Sequence, residues 1–105
     1  MKIYFEQSGG LIGIDNHISI DSDSLNPDEA LKLQRLINDA KFFDLPADEL
    51  AAPPKRGADY FEYKITIETK DRKHYIKTTD LTMPTNLGPL IRFLRQKAQR
   101  RVDSE

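Results

Sequence analysis

At 105 residues, the chain has the usual size of one domain with a modest hydrophobic core, and it leaves no room for a second domain. Hydrophobic residues make up 38% and charged residues 31%, and no apolar run approaches the roughly 18 residues of a membrane span, so the composition excludes disordered and membrane-spanning proteins. The formal net charge is −1, but the two halves differ. Residues 1–59 contain 6 Lys or Arg and 11 Asp or Glu, whereas residues 60–105 contain 10 Lys or Arg and 6 Asp or Glu. This asymmetry argues against a uniform nucleic-acid-binding face.

Residues 2–21 predict two strands joined by a glycine-rich turn. Apolar residues alternate with polar ones in both segments, with Ile3 and Phe5 on one face of the first strand, and the turn "SGGLIG" at residues 8–13 joins them as an antiparallel hairpin. Turn residues are usually polar, but Leu11 and Ile12 are bulky and apolar. Either this pair folds back over the end of the core, or it is exposed for contact with a partner.

The segment after the hairpin carries the signals of a helix start. Asn26 can cap the helix, Pro27 suits the first helical position, and Glu29 completes a capping-box pattern. The helix is predicted to end at residues 42–43, before a proline. Apolar residues recur along it at helical spacing and form one buried stripe, made of Leu33, Leu36, Ile37 and Ala40.

The second half of the chain repeats the order of hairpin and then helix. A long exposed loop is predicted at residues 47–60, then a strand in which Phe61, Tyr63, Ile65 and Ile67 alternate with polar residues. A polar turn at residues 70–73 leads to a strand at residues 74–79. The last helix is predicted to have its cap at Asn86 and a frayed tail at about residues 100–105. Its buried stripe is made of Leu87, Leu90, Ile91, Leu94 and Ala98. Its exterior is basic, with Arg92, Arg95, Lys97, Arg100 and Arg101.

The order β-β-α-β-β-α predicts a single α+β domain over residues 1–105, in which two helices pack on one face of a four-stranded antiparallel sheet. The sequence leaves the strand order open. Alternate connections lie at opposite ends of such a sheet, so residues 8–13, 51–61 and 78–86 are predicted to meet at one end. That end would hold the apolar residues Leu11, Ile12, Leu81 and Met83, the acidic residues Asp59 and Asp80, and the loop-shaping glycines Gly9, Gly10, Gly13 and Gly57. Asp21 and Asp23 are predicted at the opposite end.

The residues give no support to an enzyme. The chain has no cysteine, which excludes disulfides, thiol catalysis and thiolate metal sites, and we interpret His17 and His74 as ordinary sheet residues. No metal-binding motif or nucleotide-binding glycine pattern is present, so we expect no metal of its own and no cofactor. The first residues, "MKIYFEQ", lack the apolar stretch of a secretion signal, and we expect a cytoplasmic protein.

Two non-enzymatic functions remain open from the residues alone. The first is binding to another protein through the loops at the predicted shared end. The second is a scaffold or nucleic-acid-associated module that uses the basic last helix and the exposed tyrosines Tyr4, Tyr60 and Tyr75. The net charge of −1 gives little of the phosphate attraction that dominates nucleic-acid binding, so we expect no nucleic-acid partner.

The chain resembles the emfourin-like proteins, a family of small bacterial inhibitors of thermolysin-type zinc proteases such as protealysin. The resemblance runs from residue 3 to residue 94 through the segments "FEQSGGLIGI", "LINDAKFFDLP", "GADYFEYKITIE" and "MPTNLGPLIRFL". At residues 11–13 the chain departs from the family, which has an aromatic and a small residue before the glycine.

The resemblance implies that the protein inhibits a thermolysin-like, protealysin-type metalloprotease by its loops. In this reading an aspartate approaches the zinc of the protease and neighbouring apolar residues enter its substrate pockets. Asp59 is the preferred aspartate because it lies in the matching "GAD" motif, and Asp80 is the second choice. We expect the apolar contacts from Leu11, Ile12, Leu81 and Met83, and we expect a monomer with no membrane partner.

Overall fold

The computed structural model describes residues 1–9, 14–48 and 60–103. The chain forms β1 (Lys2–Gly9), β2 (Ile14–Asp21), α1 (Pro27–Ala40), β3 (Phe61–Glu68), β4 (Lys73–Thr79) and α2 (Gly88–Asp103), with short 3-10 turns at Ser22–Ser24, Phe42–Asp44 and Thr85–Leu87. The predicted order of elements and the α+β class are confirmed. Within the described residues, no helix has both the length and the apolarity needed to cross a membrane.

The four strands form one antiparallel sheet in the order β2-β1-β3-β4. The core-facing isoleucines are completely buried on the central strands β1 and β3, where Ile3 and Ile65 are at 0% exposure, and also on the edge strand β4, where Ile76 is at 0%. On the edge strand β2, Ile18 and Ile20 keep 8% of their surface exposed. Of the four strands, β2 is therefore the one whose core-facing isoleucines are least completely buried.

The hydrophobic core lies between one face of this sheet and the two helices. All five residues of the predicted stripe on α2 are buried, as are Leu33, Ile37 and Ala40 on α1, while Leu36 is half-buried. Phe93 is also buried, which the helical spacing did not predict. On the opposite face of the sheet, Tyr4 and Tyr75 are exposed, whereas Tyr60 is half-buried.

The start of α1 is as predicted. The backbone N–H of Glu29 donates to Asn26 Oδ1 at 2.8 Å, and Asn26 Nδ2 donates back to Glu29 Oε1 at 2.8 Å. The helix ends earlier than predicted, at Ala40, because Lys41 adopts a left-handed conformation with φ 51°. This residue stops the helix and directs the chain into a 3-10 turn that buries Phe42 in the core.

The predicted cap at Asn86 is wrong. Asn86 lies inside the 3-10 turn Thr85–Leu87, and α2 begins at Gly88. The tighter turn forms because the Leu87 N–H donates to Pro84 O at 3.0 Å, and it buries Leu87 completely. The predicted polar turn of the second hairpin also lies one residue earlier than expected, since Lys73 already belongs to β4 and the Thr69 N–H donates to Arg72 O at 2.8 Å. The frayed tail at residues 100–105 stays a prediction.

Replacing Asn26 with alanine is expected to destabilise the fold by roughly 1 kcal/mol, because the N–H of Glu29 loses its acceptor at the start of α1. Urea unfolding followed by circular dichroism measures this difference. Asn38→Ala is the matched control, since it makes the same chemical change at an exposed position inside the same helix, where Asn38 Oδ1 accepts from the Gln34 side chain and not from a backbone N–H. Equal destabilisation by the two substitutions would contradict a capping role.

Candidate protein-binding site

The three predicted connections have their described ends side by side at one end of the sheet. Gly9 faces both Ile14 and Phe61 in the strand register, and Glu62 faces Thr79, after which Asp80 leaves β4. We call this the loop end of the sheet, defined by Gly9, Ile14, Phe61 and Asp80. The opposite end holds Asp21 and, next to it, Asp23, as predicted. Leu11, Ile12, Asp59 and the glycines Gly10, Gly13 and Gly57 lie outside the described residues, so their positions stay predictions.

Gly9 holds two of these connections in close contact. Its backbone has φ +103°, a conformation that side chains rarely adopt, and a Cβ atom at this position would lie 3.0 Å from the carbonyl oxygen of Tyr60. Glycine is therefore required both for the backbone conformation at this position and for the close approach of the segment around Tyr60. The predicted loop-shaping role of Gly9 has this physical basis.

Asp80 ties the start of β3 to the end of β4. Its Oδ2 accepts a hydrogen bond from the Phe61 N–H at 2.9 Å, its Oδ1 accepts one from the Tyr63 hydroxyl at 2.8 Å, and its own N–H donates to Phe61 O at 3.2 Å. Both carboxylate oxygens thus have a partner within the protein. To bind a metal ion of another protein, Asp80 would have to weaken these hydrogen bonds. Asp80 also anchors Phe61, which lies two positions after Asp59.

The hydroxyl of Tyr63 is perturbed by this arrangement. The pKa of this hydroxyl is raised to about 12, chiefly by burial and then by the hydrogen bond and negative charge of Asp80, against a lowering effect of the nearby Arg95. Tyr63 is 2% exposed, so its neutral, donating form is strongly favoured. The hydrogen bond from Tyr63 to Asp80 is therefore a fixed part of the loop end at neutral pH.

This pKa predicts a loss of stability at alkaline pH. The unfolded chain releases the Tyr63 proton near pH 10 while the folded chain keeps it up to about pH 12, so the stabilisation is present below pH 10 and disappears as the pH rises to 12. Between these values the free energy of unfolding is expected to fall by roughly 2 kcal/mol more in the wild type than in Tyr63→Phe. Urea titrations of both proteins measure the difference, and parallel pH profiles would contradict the assignment.

The turn after Asp80 exposes one apolar side chain and buries part of another. The N–H groups of Thr82 and Met83 donate to Thr79 O at 3.2 and 3.0 Å, and Thr79 Oγ1 accepts from the Leu81 N–H at 3.2 Å. This compact turn leaves Leu81 at its tip with 68% of its surface exposed, whereas Met83 packs partly against the core. Of the two apolar residues predicted here, Leu81 is available to a partner and Met83 is largely used by the fold.

Beneath the loop end, the core-facing side of the sheet is polar. Gln7 faces Asn16 on one side and Tyr63 on the other, and Tyr63 in turn faces Thr78. Gln7 is 3% exposed, and its Oε1 has no hydrogen-bond partner among the described residues. The apolar layer of the sheet therefore stops before its loop end, which accounts for Asn16 as the one polar residue on the apolar side of β2.

The described residues form no metal centre. No group of three or more His, Cys, Asp or Glu side chains suited to a metal ion occurs among them. His74 Nε2 lies 2.7 Å from Leu45 O, and its ring packs edge-on against Phe42 with a centroid distance of 5.6 Å, so His74 has the structural role predicted for it. His17 is exposed on β2.

The basic exterior of α2 is partly used within the fold. Lys97 forms an ion pair with Glu29 of α1 and lies 5.6 Å from the centre of the Phe93 ring, and Arg95 is close enough to Tyr63 to lower the pKa of its hydroxyl. Arg92 is exposed. With two of its cations held by intramolecular contacts, this helix offers less free positive charge than its sequence indicates, which weakens the nucleic-acid alternative.

Comparison with known families identifies the chain. Residues 5–95 match the model of the Emfourin family, so the chain belongs to this family. The match runs from the middle of β1 through all of α1 and the second hairpin to the first half of α2, and it confirms the resemblance found in the sequence. It also agrees with the expectation that the protein is not an enzyme.

One solved structure is similar to the chain: "Emfourin (M4in) from Serratia proteamaculans, M4 family peptidase inhibitor". The two chains are 18% identical, the alignment covers 88% of this chain and 86% of that one, and the TM-score is 0.41. A search of curated proteins found no match. The family assignment rests on the family match.

Proposed function

We propose that this protein inhibits a thermolysin-like metalloprotease of the M4 type by inserting the connections at the loop end of its sheet into the active-site cleft. The observation that carries the proposal is the match of residues 5–95 to the Emfourin family, since the solved emfourin is an M4 family peptidase inhibitor. The side-by-side ends of the three connections support it, because distant parts of the chain can then act as one surface.

The proposed zinc-approaching group is Asp59. The catalytic zinc of such proteases keeps a fourth position for water, and a carboxylate oxygen at about 2.0 to 2.2 Å can take that position without offering a bond to cleave. Asp80 is the second candidate, but both of its carboxylate oxygens already accept hydrogen bonds in the free protein. Asp59 is preferred because its "GAD" motif matches the family.

Apolar side chains are proposed to supply much of the affinity. Leu81 is exposed at the tip of its turn, and Leu11 and Ile12 belong to the neighbouring connection. Burying one such side chain in a substrate pocket contributes roughly 1.5 to 3 kcal/mol. Met83 is a weaker candidate, because it already packs against the core.

The proposed binding surface rests on contacts that already exist in the free protein. They involve Gly9, Tyr60, Phe61 and Asp80. A protein that orders its loops only on binding loses affinity to the entropy of ordering them. Here the described ends of the connections are held by backbone contact and by the hydrogen bonds of Asp80. The proposed inhibitor acts as a monomer in the cytoplasm, and we propose no cofactor for it.

The test is an inhibition assay with the purified protein. Hydrolysis of a peptide substrate by a thermolysin-like M4 peptidase is expected to slow in a dose-dependent manner at micromolar protein. A serine protease assayed in the same way is the control and is expected to be unaffected. Unchanged hydrolysis by M4 peptidases of both thermolysin and protealysin type would refute the proposed function.

A further inference from the structure

The sheet has two edges, and they differ in how much of their backbone is used. On β4, the N–H of Lys77 donates to Ala47 O at 2.8 Å, and the hydroxyl of Tyr75 lies 3.1 Å from Asp48 Oδ2, so residues 47–48 run along that edge and cover part of it. β2 is the other edge. It pairs with β1 over its full length and with no other described strand.

The register shows which backbone groups of β2 point away from the sheet. The N–H of Ser22 donates to Met1 O at 2.9 Å, which makes this pair a hydrogen-bonded one in the antiparallel ladder. Hydrogen-bonded and non-bonded pairs alternate along such a ladder, so the even-numbered residues of β2 bond to β1. The N–H groups of His17, Ser19 and Asp21 therefore point outward, and no described residue accepts a hydrogen bond from them.

This edge lacks most of the usual protections. Natural sheets protect a free edge with charged side chains, lysine above all, or with proline, a bulge or a covering segment. The two aspartates of β2 supply charge. The sequence of β2, "IDNHISID", contains neither lysine nor proline, and its pairing with β1 is continuous from Ile14 to Asp21 without a bulge. The side chains of Ile18 and Ile20 point into the core, so the outward backbone groups can be reached without disturbing the packing.

We propose that β2 binds an extended segment of the target protease as a fifth strand of the sheet. The inference rests on the proposed function, because β2 begins at Ile14 in the loop end, so a protease held there also lies beside this edge. Addition of a strand to a sheet edge is a general mode of peptide recognition in which backbone hydrogen bonds supply affinity.

The charge of β2 indicates which partner the edge favours. Residues 14–23 contain three aspartates and no lysine or arginine, and Asp21 is exposed. A second copy of the same strand would bring two acidic segments together, which is unfavourable. A segment of the protease that carries lysine or arginine next to Asp21 is complementary to this charge.

Ser19→Pro tests the proposal with little disturbance of the fold. Because the N–H of Ser19 points away from β1, proline removes no hydrogen bond of the sheet, but it blocks the centre of the free edge. Ser19→Ala is the matched control, since it keeps the N–H. We expect Ser19→Pro to weaken inhibition of the M4 peptidase by about tenfold or more and Ser19→Ala to inhibit like the wild type. Equal inhibition by both variants would overturn the proposal.

Amide hydrogen exchange of the wild-type protein gives a second readout that needs no substitution. The amides of His17, Ser19 and Asp21 are expected to exchange more slowly when the peptidase is bound, and unchanged exchange in an inhibited complex would refute the added strand. If the wild type does not inhibit at all, the proposed function fails as well. If the free protein sediments as a dimer that Ser19→Pro converts into a monomer, the occupant is a second copy and this proposal is wrong.

Discussion

Asp59→Ala is expected to weaken inhibition of a thermolysin-like protease more than any other single substitution of a charged residue in this protein. Removal of one partner from a buried charged contact costs about 2 to 5 kcal/mol, which corresponds to a loss of affinity between about 30-fold and several thousand-fold. The inhibition constant for a peptide substrate measures this loss. The free energy of unfolding is expected to stay within about 0.5 kcal/mol of the wild type, because the sequence predicts that Asp59 lies in an exposed loop.

Asp23→Ala is the matched control for Asp59. Asp23 is also an aspartate in a connection, but it lies beside Asp21 at the end of the sheet opposite to the loop end. Its loss should leave inhibition unchanged if the loop end is the inhibitory surface. Equal losses of inhibition in the two variants would refute the assignment of the site to one end of the sheet.

Asp80→Ala distinguishes the two candidate aspartates. It leaves the Phe61 N–H and the Tyr63 hydroxyl without their acceptor, so its first expected effect is a destabilisation of about 1 to 3 kcal/mol. Urea unfolding measures this cost beside the inhibition assay. Strong loss of inhibition with unchanged stability in Asp80→Ala, together with normal inhibition by Asp59→Ala, would assign the zinc-approaching role to Asp80.

Phe5→Ala is expected to produce the largest loss of stability among the substitutions considered. Phe5 is 1% exposed on the central strand β1, where it faces Ile65 and Ile18 across the sheet. Truncation of a buried phenylalanine costs about 3 to 5 kcal/mol, because apolar burial is lost and a cavity remains. This is a large share of the 5 to 15 kcal/mol by which domains of about this size are typically stable.

Tyr4→Ala is the control in the neighbouring position of the same strand. Tyr4 is 41% exposed on the face of the sheet opposite to the helices, so its truncation is expected to cost about 1 kcal/mol or less. Chemical denaturation of both variants gives the comparison. A cost at Tyr4 equal to that at Phe5 would contradict a sheet that is covered by helices on one face alone.

The sequence by itself determined the elements and their buried faces. Alternation of apolar residues defined the strands, and Asn26 and Pro27 defined the start of α1. The predicted stripe from Leu87 to Ala98 is buried, although Leu87 lies in the 3-10 turn before α2. These features depend on residues that are near one another in the chain, so local spacing and capping chemistry suffice to predict them. The family was also visible in the sequence, through motifs spread over most of its length.

The tertiary structure decided the features that depend on contacts between distant residues. The early end of α1 follows from the left-handed Lys41 and the burial of Phe42, and the start of α2 at Gly88 follows from the 3-10 turn that buries Leu87. Local sequence favoured a longer first helix and a cap at Asn86. In both places, the free energy gained by burying a large side chain outweighed the local preference of the backbone.

The tertiary structure alone also gives the position of β3 beside β1, the edge position of β2, and the hydrogen bonds of Asp80 to Phe61 and Tyr63. Alternating patterns define the faces of a strand and do not specify its neighbours, so several strand orders bury the same residues. Packing of the two helices against the sheet selects one order. That choice brings Gly9 of β1 beside Phe61 of β3.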